Sequence, residues 1–334
     1  MQAMRLDHQA SIDEAPLALV DAPEPEPAAG QLRVRVHVCA ICRTDLHVIE
    51  GDLALVRRPI IVGHQAVGVV ERTGPQCTRF AAGDRVGIAW LRHTDGVCEF
   101  CRRGEENLCP ASRYTGWHED GGYAELALVR EDFAYAIPDR FTDDEAAPLL
   151  CAGIIGYRAL QRSRVPDGGR LGLFGFGSSA HITLQIALAR RCELFVSTRG
   201  AEHRRLAGEL GAAWVGDADE RPPLPLDSAI VFAPAGEIVP RALASLRKGG
   251  TVALAGIHMS PLPAMSYEPH LFHEKTLTSV EANTRKDGEE LLAIAAAIPI
   301  RPRRRLFALA EANRALATMK HDGIDGTGVL VVRG

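Results

Sequence analysis

The segment LGLFGFGSSAHITLQIALARRCELFVST, residues 171–198, decides the fold of the second half of the chain. It begins with a short apolar run typical of a strand, continues with apolar residues at a helical period, and ends in a second apolar run. Gly175, Gly177 and Ala180 stand between the first strand and the helix, in the spacing of a dinucleotide-binding turn. Glycines there let the backbone approach a pyrophosphate, and the free N–H groups at the helix start can hold it. The segment therefore predicts a dinucleotide site.

The end of the second strand indicates which dinucleotide binds. Proteins that bind NAD normally place Asp or Glu there, where the carboxylate meets the ribose diol. Here the residues are Ser197, Thr198 and Arg199, and no acid follows until Glu202. Two hydroxyls and a guanidinium can donate to a 2′-phosphate, which a carboxylate would repel. NADP(H) is favoured, and the alternative is an ordinary polar strand end.

Strand-type and helix-type segments continue to alternate from residue 153 to residue 283. Strands are predicted at 193–198, 213–216 and 228–233, with a helix at 202–212 that ends in a Gly stop, and the segment 240–256 repeats the alternation. Such alternation is typical of a doubly wound parallel sheet. The predicted fold class is α/β, with a dinucleotide-binding domain at 153–283.

The rest of the chain forms a second, β-rich pattern. In the first ~150 residues, Gly, Pro and Asp separate the short β-type runs LRVRVHV, PIIVGHQAVGVVERT, DRVGIAW and YAELALV. The tail is mostly helical and ends in TGVLVVR, a strand without a sheet of its own, which we expect to join the N-terminal strands. The predicted second domain is therefore residues 1–152 together with 284–334.

Composition excludes several classes of function. The net charge is −4 and the pI about 6.3, so nothing suggests a nucleic-acid-binding surface, and the basic run 301–305 reads as a solvated face or loop. The N-terminus lacks the apolar core of a signal peptide, and the longest apolar stretch is too short to span a bilayer. We expect a cytoplasmic protein whose eight cysteines are metal ligands or buried thiols.

The loop DGVCEFCRRGEENLC, residues 95–109, has the spacing of a zinc site. Cys98 and Cys101 form a C-x2-C pair, and Cys109 follows eight residues later. A structural zinc takes a fourth ligand, which Asp95 can supply through a carboxylate oxygen. The alternative is a partly occupied or empty site.

The stretch CRTDLH, residues 42–47, places a thiol, a guanidinium, a hydroxyl, a carboxylate and an imidazole within six positions. A lone Cys42 would more often be an inert buried thiol. His64 and Cys151 lie far away in sequence and would have to converge with it. Two thiolates and one neutral imidazole leave a fourth zinc position open, which is the catalytic arrangement.

Six motifs occur in the order seen in one family, the zinc-dependent medium-chain alcohol dehydrogenases, and the chain resembles its cinnamyl-type and bacterial members. These motifs are CRTDLH, GHQAVG, VCEFCRRGEENLC, DGGYAE, LLCAGIIGY and GLFGFGSSA. The resemblance implies a GroES-like catalytic domain and a Rossmann domain. It also implies two zinc ions per chain: a catalytic zinc on Cys42, His64 and Cys151, and a structural zinc on the 95–109 loop.

The same resemblance implies roles for the residues around Cys42. Arg43 would contact the cofactor pyrophosphate, Thr44 would accept the proton of the alcohol, and His47 would relay it to solvent. Asp45 would orient a ligating histidine. The activity implied is hydride transfer between NADP(H) and an alcohol/aldehyde pair, in a homodimer or homotetramer.

Trp90, Leu91 and Trp117 lie where the family lines its substrate pocket, although buried aromatic residues are as often core. They suit a medium or aromatic primary alcohol better than a polyol, which would want more polar partners.

Three positions depart from the family pattern. Gln65 replaces the usual Glu after the histidine ligand, Asp95 replaces a cysteine, and Ile155 stands where Thr is common. Gln65 and Ile155 favour one alternative, a nucleotide-binding protein with little turnover. A zinc-free quinone-type reductase is the other alternative, but such proteins lack the ligand set present here.

Overall fold

The computed structural model describes residues 1–332. Its strands are β1 Gln2–Leu6, β2 Leu17–Asp21, β3 Gln31–Ala40, β4 Ile60–Ile61, β5 Ala66–Thr73, β6 Arg85–Ile88, β7 Leu91–His93, β8 Arg113–Tyr114, β9 Leu126–Arg130, β10 Ala134–Ala136, β11 Arg170–Phe174, β12 Glu193–Ser197, β13 Trp214–Gly216, β14 Leu226–Val231, β15 Leu246–Leu254, β16 Thr276–Ser279, β17 Arg304–Ala308 and β18 Thr327–Val331.

The α-helices are fewer than the strands among the described residues. They are α1 Arg43–Glu50, α2 Glu99–Arg102, α3 Asp143–Ala146, α4 Ala152–Ser163, α5 Ser178–Ala189, α6 Ala201–Glu209, α7 Ile238–Ser245, α8 Arg285–Ala297 and α9 Ala312–Lys320. Single turns of 3-10 or π-helix lie at Ile12–Glu14, Glu106–Leu108, Glu131–Phe133, Ala147–Leu150, Glu268–Phe272 and Leu309–Glu311. Among residues 1–332, no helix combines the length and the apolar character needed to cross a membrane.

The chain divides into two compact units. One contains Met1–Cys151, Ala282–Ala296 and Pro302–Gly334, of which 333 and 334 lie outside the described residues. The other contains Ala152–Glu281 and Ala297–Arg301.

The second unit is built on a six-stranded sheet in the order β13-β12-β11-β14-β15-β16, with every pair parallel. In chain order this is 3-2-1-4-5-6, the doubly wound arrangement with its switch point between β11 and β14. Central strands of such a sheet are covered on both faces and read as continuous apolar runs. The predicted doubly wound sheet is therefore confirmed. Its outermost strand β16, sequence TLTS, was not predicted, because it is polar and only partly buried.

The first unit is built on a seven-stranded sheet in the order β10-β6-β5-β3-β18-β17, with β9 also paired to β3. The long strand β3 buries Leu32, Val34 and Val36 in the core. The final strand β18 pairs antiparallel with β3, so the C-terminal strand joins the N-terminal strands as expected. The basic run 301–305 is exposed, but its last two residues begin the edge strand β17, where only a loop or solvated face was expected.

A smaller sheet of β2, β1 and β4 was not predicted from the N-terminal sequence. Strand β1 pairs antiparallel with both neighbours, and Met4 and Leu6 are buried. Charged residues interrupt this segment, so its apolar alternation is too short to stand out. Strand β4, a two-residue strand shortly before His64, pairs with β1 and so stabilises it.

Candidate active site

The first unit brings together the three predicted catalytic metal ligands. Cys42 caps the start of α1 directly after β3, His64 follows β4, and Cys151 follows the turn Ala147–Leu150. One ligand atom of each lies within 4.8 Å of the others. The buried Nε2 of His64 has no hydrogen-bond partner. Because a buried imidazole nitrogen is costly to leave unpaired, this donor set fits a zinc ion with one position open.

Asp45 orients the histidine of this cluster, as its predicted role requires. Its Oδ1 lies 2.9 Å from Nδ1 of His64, so Nε2 is the nitrogen left for a metal. Its Oδ2 accepts hydrogen bonds from the backbone N–H of Cys42 at 2.8 Å and from the Tyr123 hydroxyl at 2.9 Å. Asp45 itself is 2% exposed, so the carboxylate exchanges water for three protein donors.

Tyr123 is a site residue that sequence reasoning missed. It is fully buried, and its ring packs against the backbone of Gly63, where a Cβ would lie 2.2 Å from the ring carbon Cδ1. Gly63 also has a φ of +94°, a region that disfavours side chains. The motifs GHQAVG and DGGYAE thus fit together through a glycine and a tyrosine. The tyrosine in DGGYAE was the available signal, but nothing local shows that it faces Asp45.

The electrostatics of the cluster reflect this burial. Burial alone would lower the pKa of His64, but the charge and hydrogen bond of Asp45 outweigh it and raise that pKa to about 10. The Cys42 and Cys151 sulfur atoms are 3.9 Å apart. The hydrogen bond between them lowers the pKa of Cys42 and raises that of Cys151, so the pair favours one shared proton. A cation that takes both sulfur atoms has to displace that proton.

The remaining predicted residues of CRTDLH lie on α1. Thr44 is 8% exposed, and its hydroxyl oxygen lies 3.6 Å from the Cys42 sulfur. His47 follows three positions later, on the same helix face, and its Nδ1 is 2.7 Å from Asp52. Arg43 is exposed and forms an ion pair with Asp322 at 3.2 Å. The proton-relay and pyrophosphate roles of these side chains stay predictions.

Aromatic residues stand beside the cluster. The ring of Trp90 meets that of His64 edge-on, with centroids 4.9 Å apart. Trp90 also stacks on Tyr114 at 4.9 Å and on Trp117 at 6.1 Å. Trp90 is almost buried, whereas Trp117 is only partly buried and donates from Nε1 to the carbonyl of Ala54. Leu91 is 1% exposed and belongs to the core.

The two unusual residues Gln65 and Ile155 lie in different units. Gln65 is fully buried, and its Nε2 donates to the carbonyl of Ala40 at 3.4 Å. Ile155 lies in the first turns of α4 and is partly buried. Neither of these two departures from the family pattern changes the three side chains of the cluster, Cys42, His64 and Cys151.

The loop 95–109 also gathers its four predicted ligands. One ligand atom each of Asp95, Cys98, Cys101 and Cys109 lies within 4.8 Å of the others. Backbone N–H groups of Cys101 and Asp95 point at two of the sulfur atoms, those of Cys98 and Cys109, at 3.5 and 3.4 Å. Amide donors of this kind stabilise thiolates, so the donor set fits zinc. Burial and the neighbouring Cys98 sulfur raise the pKa of the Cys101 thiol to about 12.

Asp95 has a second task in this loop. Its Oδ1 accepts hydrogen bonds from the backbone N–H groups of Val97 and Cys98, at 2.8 and 2.9 Å. These bonds lower the pKa of Asp95 well below its ordinary value. The carboxylate is therefore charged and held in place by the turn that leads into α2.

In the second unit, the predicted glycine turn connects β11 to α5. Gly175 has a φ of +87°, and a Cβ there would lie 2.8 Å from the backbone nitrogen of Ala233. Gly177 caps α5 and is exposed, and a Cβ on it would meet nothing within 4 Å. Ala180 is fully buried. The open backbone at Gly177 is a surface that a pyrophosphate can approach.

The end of β12 presents the predicted phosphate donors. Ser197 is 3% exposed and its hydroxyl has no hydrogen-bond partner. Thr198 is also buried, and its N–H donates to the carbonyl of Gly216 on β13 at 3.1 Å. Arg199 is exposed, and its guanidinium has no ion pair within residues 1–332. This buried hydroxyl and uncommitted guanidinium fit an anionic group on the cofactor.

Comparisons with known proteins agree with both units. A family model described as the alcohol dehydrogenase GroES-like domain matches residues 28–139, which confirms the predicted GroES-like domain. The chain is 51% identical to the Mycobacterium tuberculosis protein "Probable alcohol dehydrogenase AdhA", over 99% of this chain and 97% of that one. It is 33% identical to an alcohol dehydrogenase of Geobacillus stearothermophilus, over 84% of this chain and 86% of the relative.

Solved structures share this fold. A cinnamyl alcohol dehydrogenase from Sorghum bicolor superposes with a TM-score of 0.89 at 26% identity, over 99% of this chain and 97% of its own. A candidate zinc-binding dehydrogenase from Sinorhizobium meliloti, solved with NADP bound, superposes with a TM-score of 0.85 at 26% identity, over 99% of each chain.

Proposed function

Since the chain belongs to the zinc-dependent medium-chain alcohol dehydrogenase family and is an oxidoreductase, we propose that it transfers a hydride between NADP(H) and a medium or aromatic primary alcohol/aldehyde. The observation that carries this proposal is the buried Nε2 of His64, which has no partner and lies beside the sulfur atoms of Cys42 and Cys151. Three ligands with one position left are what a substrate oxygen requires.

Cys42, His64 and Cys151 would hold the catalytic zinc, and the loop 95–109 would hold a second zinc. Zinc at the first site would supply Lewis-acid chemistry, which lowers the pKa of an alcohol and polarises a carbonyl. Asp45 keeps the proton of His64 on Nδ1, so that Nε2 stays available as a ligand. The four ligands of the second site would be Asp95, Cys98, Cys101 and Cys109.

The proton of the alcohol would leave through two side chains of α1. Thr44 is close to Cys42, and its hydroxyl can accept one proton while it donates another. His47 lies one helical turn on, and its Nδ1 is held by Asp52, which fixes the orientation of the ring. In the reducing direction, the same groups return the proton to the product oxygen.

The glycine turn after β11 and the end of β12 would hold NADP(H), whose nicotinamide supplies or accepts the hydride. Gly177 leaves room for the pyrophosphate at the start of α5, while Gly175 and Ala180 allow the close backbone packing of this turn. Ser197, Thr198 and Arg199 would donate to the 2′-phosphate. Arg43 would add a charge-assisted contact to the pyrophosphate, in exchange for its ion pair with Asp322.

The proposed substrate class rests on the aromatic residues next to His64. Trp90, Tyr114 and Trp117 form a stacked group of aromatic rings, and aromatic side chains favour an aromatic or medium-chain substrate. A cytoplasmic location is part of this proposal, and the eight free cysteines agree with a reducing compartment. The family resemblance favours a homodimer or homotetramer.

The test combines metal analysis with cofactor preference. Zinc is quantified in the purified protein, and reduction of an aromatic aldehyde is followed with NADPH and with NADH. Arg199→Ala should weaken NADPH binding by about ten- to a hundredfold and leave NADH nearly unchanged, because a charge-assisted phosphate contact is worth ~1.5–3 kcal/mol.

Arg247→Ala is the matched control. Arg247 is another exposed arginine of the second unit. It lies at the start of β15, and so at the amino end of the parallel strands, whereas Arg199 follows the carboxyl end of β12. Arg247→Ala should change neither the affinity for NADPH nor the affinity for NADH. Equal use of NADH and NADPH by the unmodified protein would refute the cofactor assignment, and aldehyde reduction without zinc would refute the metal assignment.

A further inference from the structure

An acidic residue lies beside the proposed 2′-phosphate site. Strand β13 pairs in parallel with β12, with Gly216 opposite Ser197. The residue after Gly216 is Asp217, which is therefore a neighbour of Thr198 at the same edge of the sheet. This carboxylate is on a different strand from the position where an acid selects NAD, so the sequence of β12 does not show it.

Arg204 forms an ion pair with this carboxylate, which stays half-exposed. It lies on α6, and its Nη1 is 2.8 Å from Asp217 Oδ2. The same nitrogen donates to the carbonyl of Thr198 at 3.1 Å and lies 3.5 Å from that of Arg199. One guanidinium group thus connects the acid of β13 to the two backbone carbonyls that follow β12.

We propose that Arg204 is a positioning residue that sets cofactor specificity, because it cancels the charge of Asp217 and holds the backbone from which Thr198 and Arg199 extend. This inference rests on the proposed function, since it concerns the same cofactor site. An unpaired carboxylate would repel a 2′-phosphate and could accept hydrogen bonds from a ribose diol, as the acid of NAD-binding proteins does. Arg204 therefore makes an acidic strand edge compatible with NADP(H).

The neighbouring charges on α6 provide a contrast. Glu202 is the next acid along the chain, and it is bound by Arg205 at 2.7 Å. Arg205 also pairs with Glu209, and all three side chains are well exposed along the helix. Arg205 carries the same charge as Arg204 and is adjacent to it in sequence, and it pairs with two acids of its own helix, Glu202 and Glu209. Arg205→Gln is therefore a control that removes an equal charge from the same helix.

The experiment is a four-protein cycle of the unmodified chain, Arg204→Gln, Asp217→Asn and the double variant. Dissociation constants for NADPH and NADH are measured by nicotinamide fluorescence at low and at moderate salt. Arg204→Gln should weaken NADPH binding about tenfold and leave NADH within about twofold, because one uncancelled charge then faces the phosphate in a partly exposed site. The loss should shrink as salt increases.

Asp217→Asn should restore NADPH binding to the Arg204→Gln protein and should tighten it when made alone. Arg205→Gln should leave the ratio of the two dissociation constants within about twofold of the unmodified value. Arg204→Lys keeps the charge and should retain most of the NADPH affinity, and it serves as the second variant if Arg204→Gln folds poorly.

The inference fails if Arg204→Gln weakens both cofactors alike and Asp217→Asn does not restore NADPH. That result would leave Arg204 with a structural role only. It also fails if Arg204→Gln changes neither constant. Equal binding of both cofactors by the unmodified chain would instead contradict the proposed preference for NADP(H). In that case the change in the ratio of the two dissociation constants between the unmodified chain and Arg204→Gln would still report the effect of Asp217.

Discussion

At the scale of single residues, Asp45 contributes most to the candidate active site without touching substrate. Its two oxygens accept from His64, Cys42 and Tyr123, and the contacts with His64 and Tyr123 are buried. A neutral amide cannot replace it, because one of its two ends is a donor. Any orientation of an asparagine leaves a donor facing a donor.

We expect Asp45→Asn to lower both zinc retention and stability. Loss of a carboxylate behind a ligating histidine typically reduces metal affinity by about 10- to 100-fold, and an unsatisfied buried donor costs ~1–3 kcal/mol. Zinc content after dialysis against a chelator, together with urea unfolding, measures the two effects. Tyr123→Phe is the control, since it removes one of the three hydrogen bonds and should reduce stability while zinc is largely retained. Full zinc retention by Asp45→Asn would contradict the assigned role.

At the scale of elements, the loop 95–109 has little core of its own. Val97 is 63% exposed, and α2 is a single turn of four residues. The far end of the loop is anchored within the first unit, where Arg285 donates to both carboxylate oxygens of Glu106. The near end depends on the Asp95 turn and on the ligand cluster, so a bound metal would determine its stability.

We expect Asp95→Cys to hold zinc more tightly against a chelator, because thiolate is a softer ligand than carboxylate. Asp95→Asn is the matched variant: it keeps an oxygen that can accept from Val97 and Cys98 but removes the charge, and it should release zinc sooner. Zinc release with increasing chelator is followed for the three proteins. If Asp95→Asn holds zinc as firmly as the unmodified chain, Asp95 contributes only to the turn.

At the scale of the whole molecule, the two ligand clusters share no residue and belong to the same unit. We therefore expect two zinc ions per chain that can be removed independently. Cys42→Ser should leave one zinc and abolish aldehyde reduction. Cys101→Ser should leave one zinc and lower the thermal midpoint by several degrees, because a ligand at 1,000 times its Kd stabilises by ~4 kcal/mol. Elemental analysis and thermal unfolding measure these outcomes, and one zinc or fewer in the unmodified chain would refute the two-site assignment.

The whole fold also shows where prediction from sequence succeeded. The apolar runs of β11 and β12 and the helical period of α5 are strong local signals, so the parallel sheet was predicted. Strands β1, β2 and β16 were missed, because polar residues interrupt them and only their partners stabilise them. Leu91 is buried, and Trp90 and Trp117 lie in the aromatic group beside His64, so the contact of these three residues with substrate stays a prediction.

The sequence by itself determined the chemistry that each segment could offer: thiols at metal-ligand spacing, a glycine turn after a strand, and a strand end without an acid. These features are local, since they depend on residue type and on spacing over a few positions. The tertiary structure alone decided which distant groups meet. The fold of the first unit, including the antiparallel pairing of β3 with β5, brings Cys42, His64 and Cys151 together, and Tyr123 meets Asp45 in its buried core. The parallel pairing of β12 with β13 places Asp217 beside Thr198, where Arg204 can pair with it, because strand pairing ignores distance along the chain.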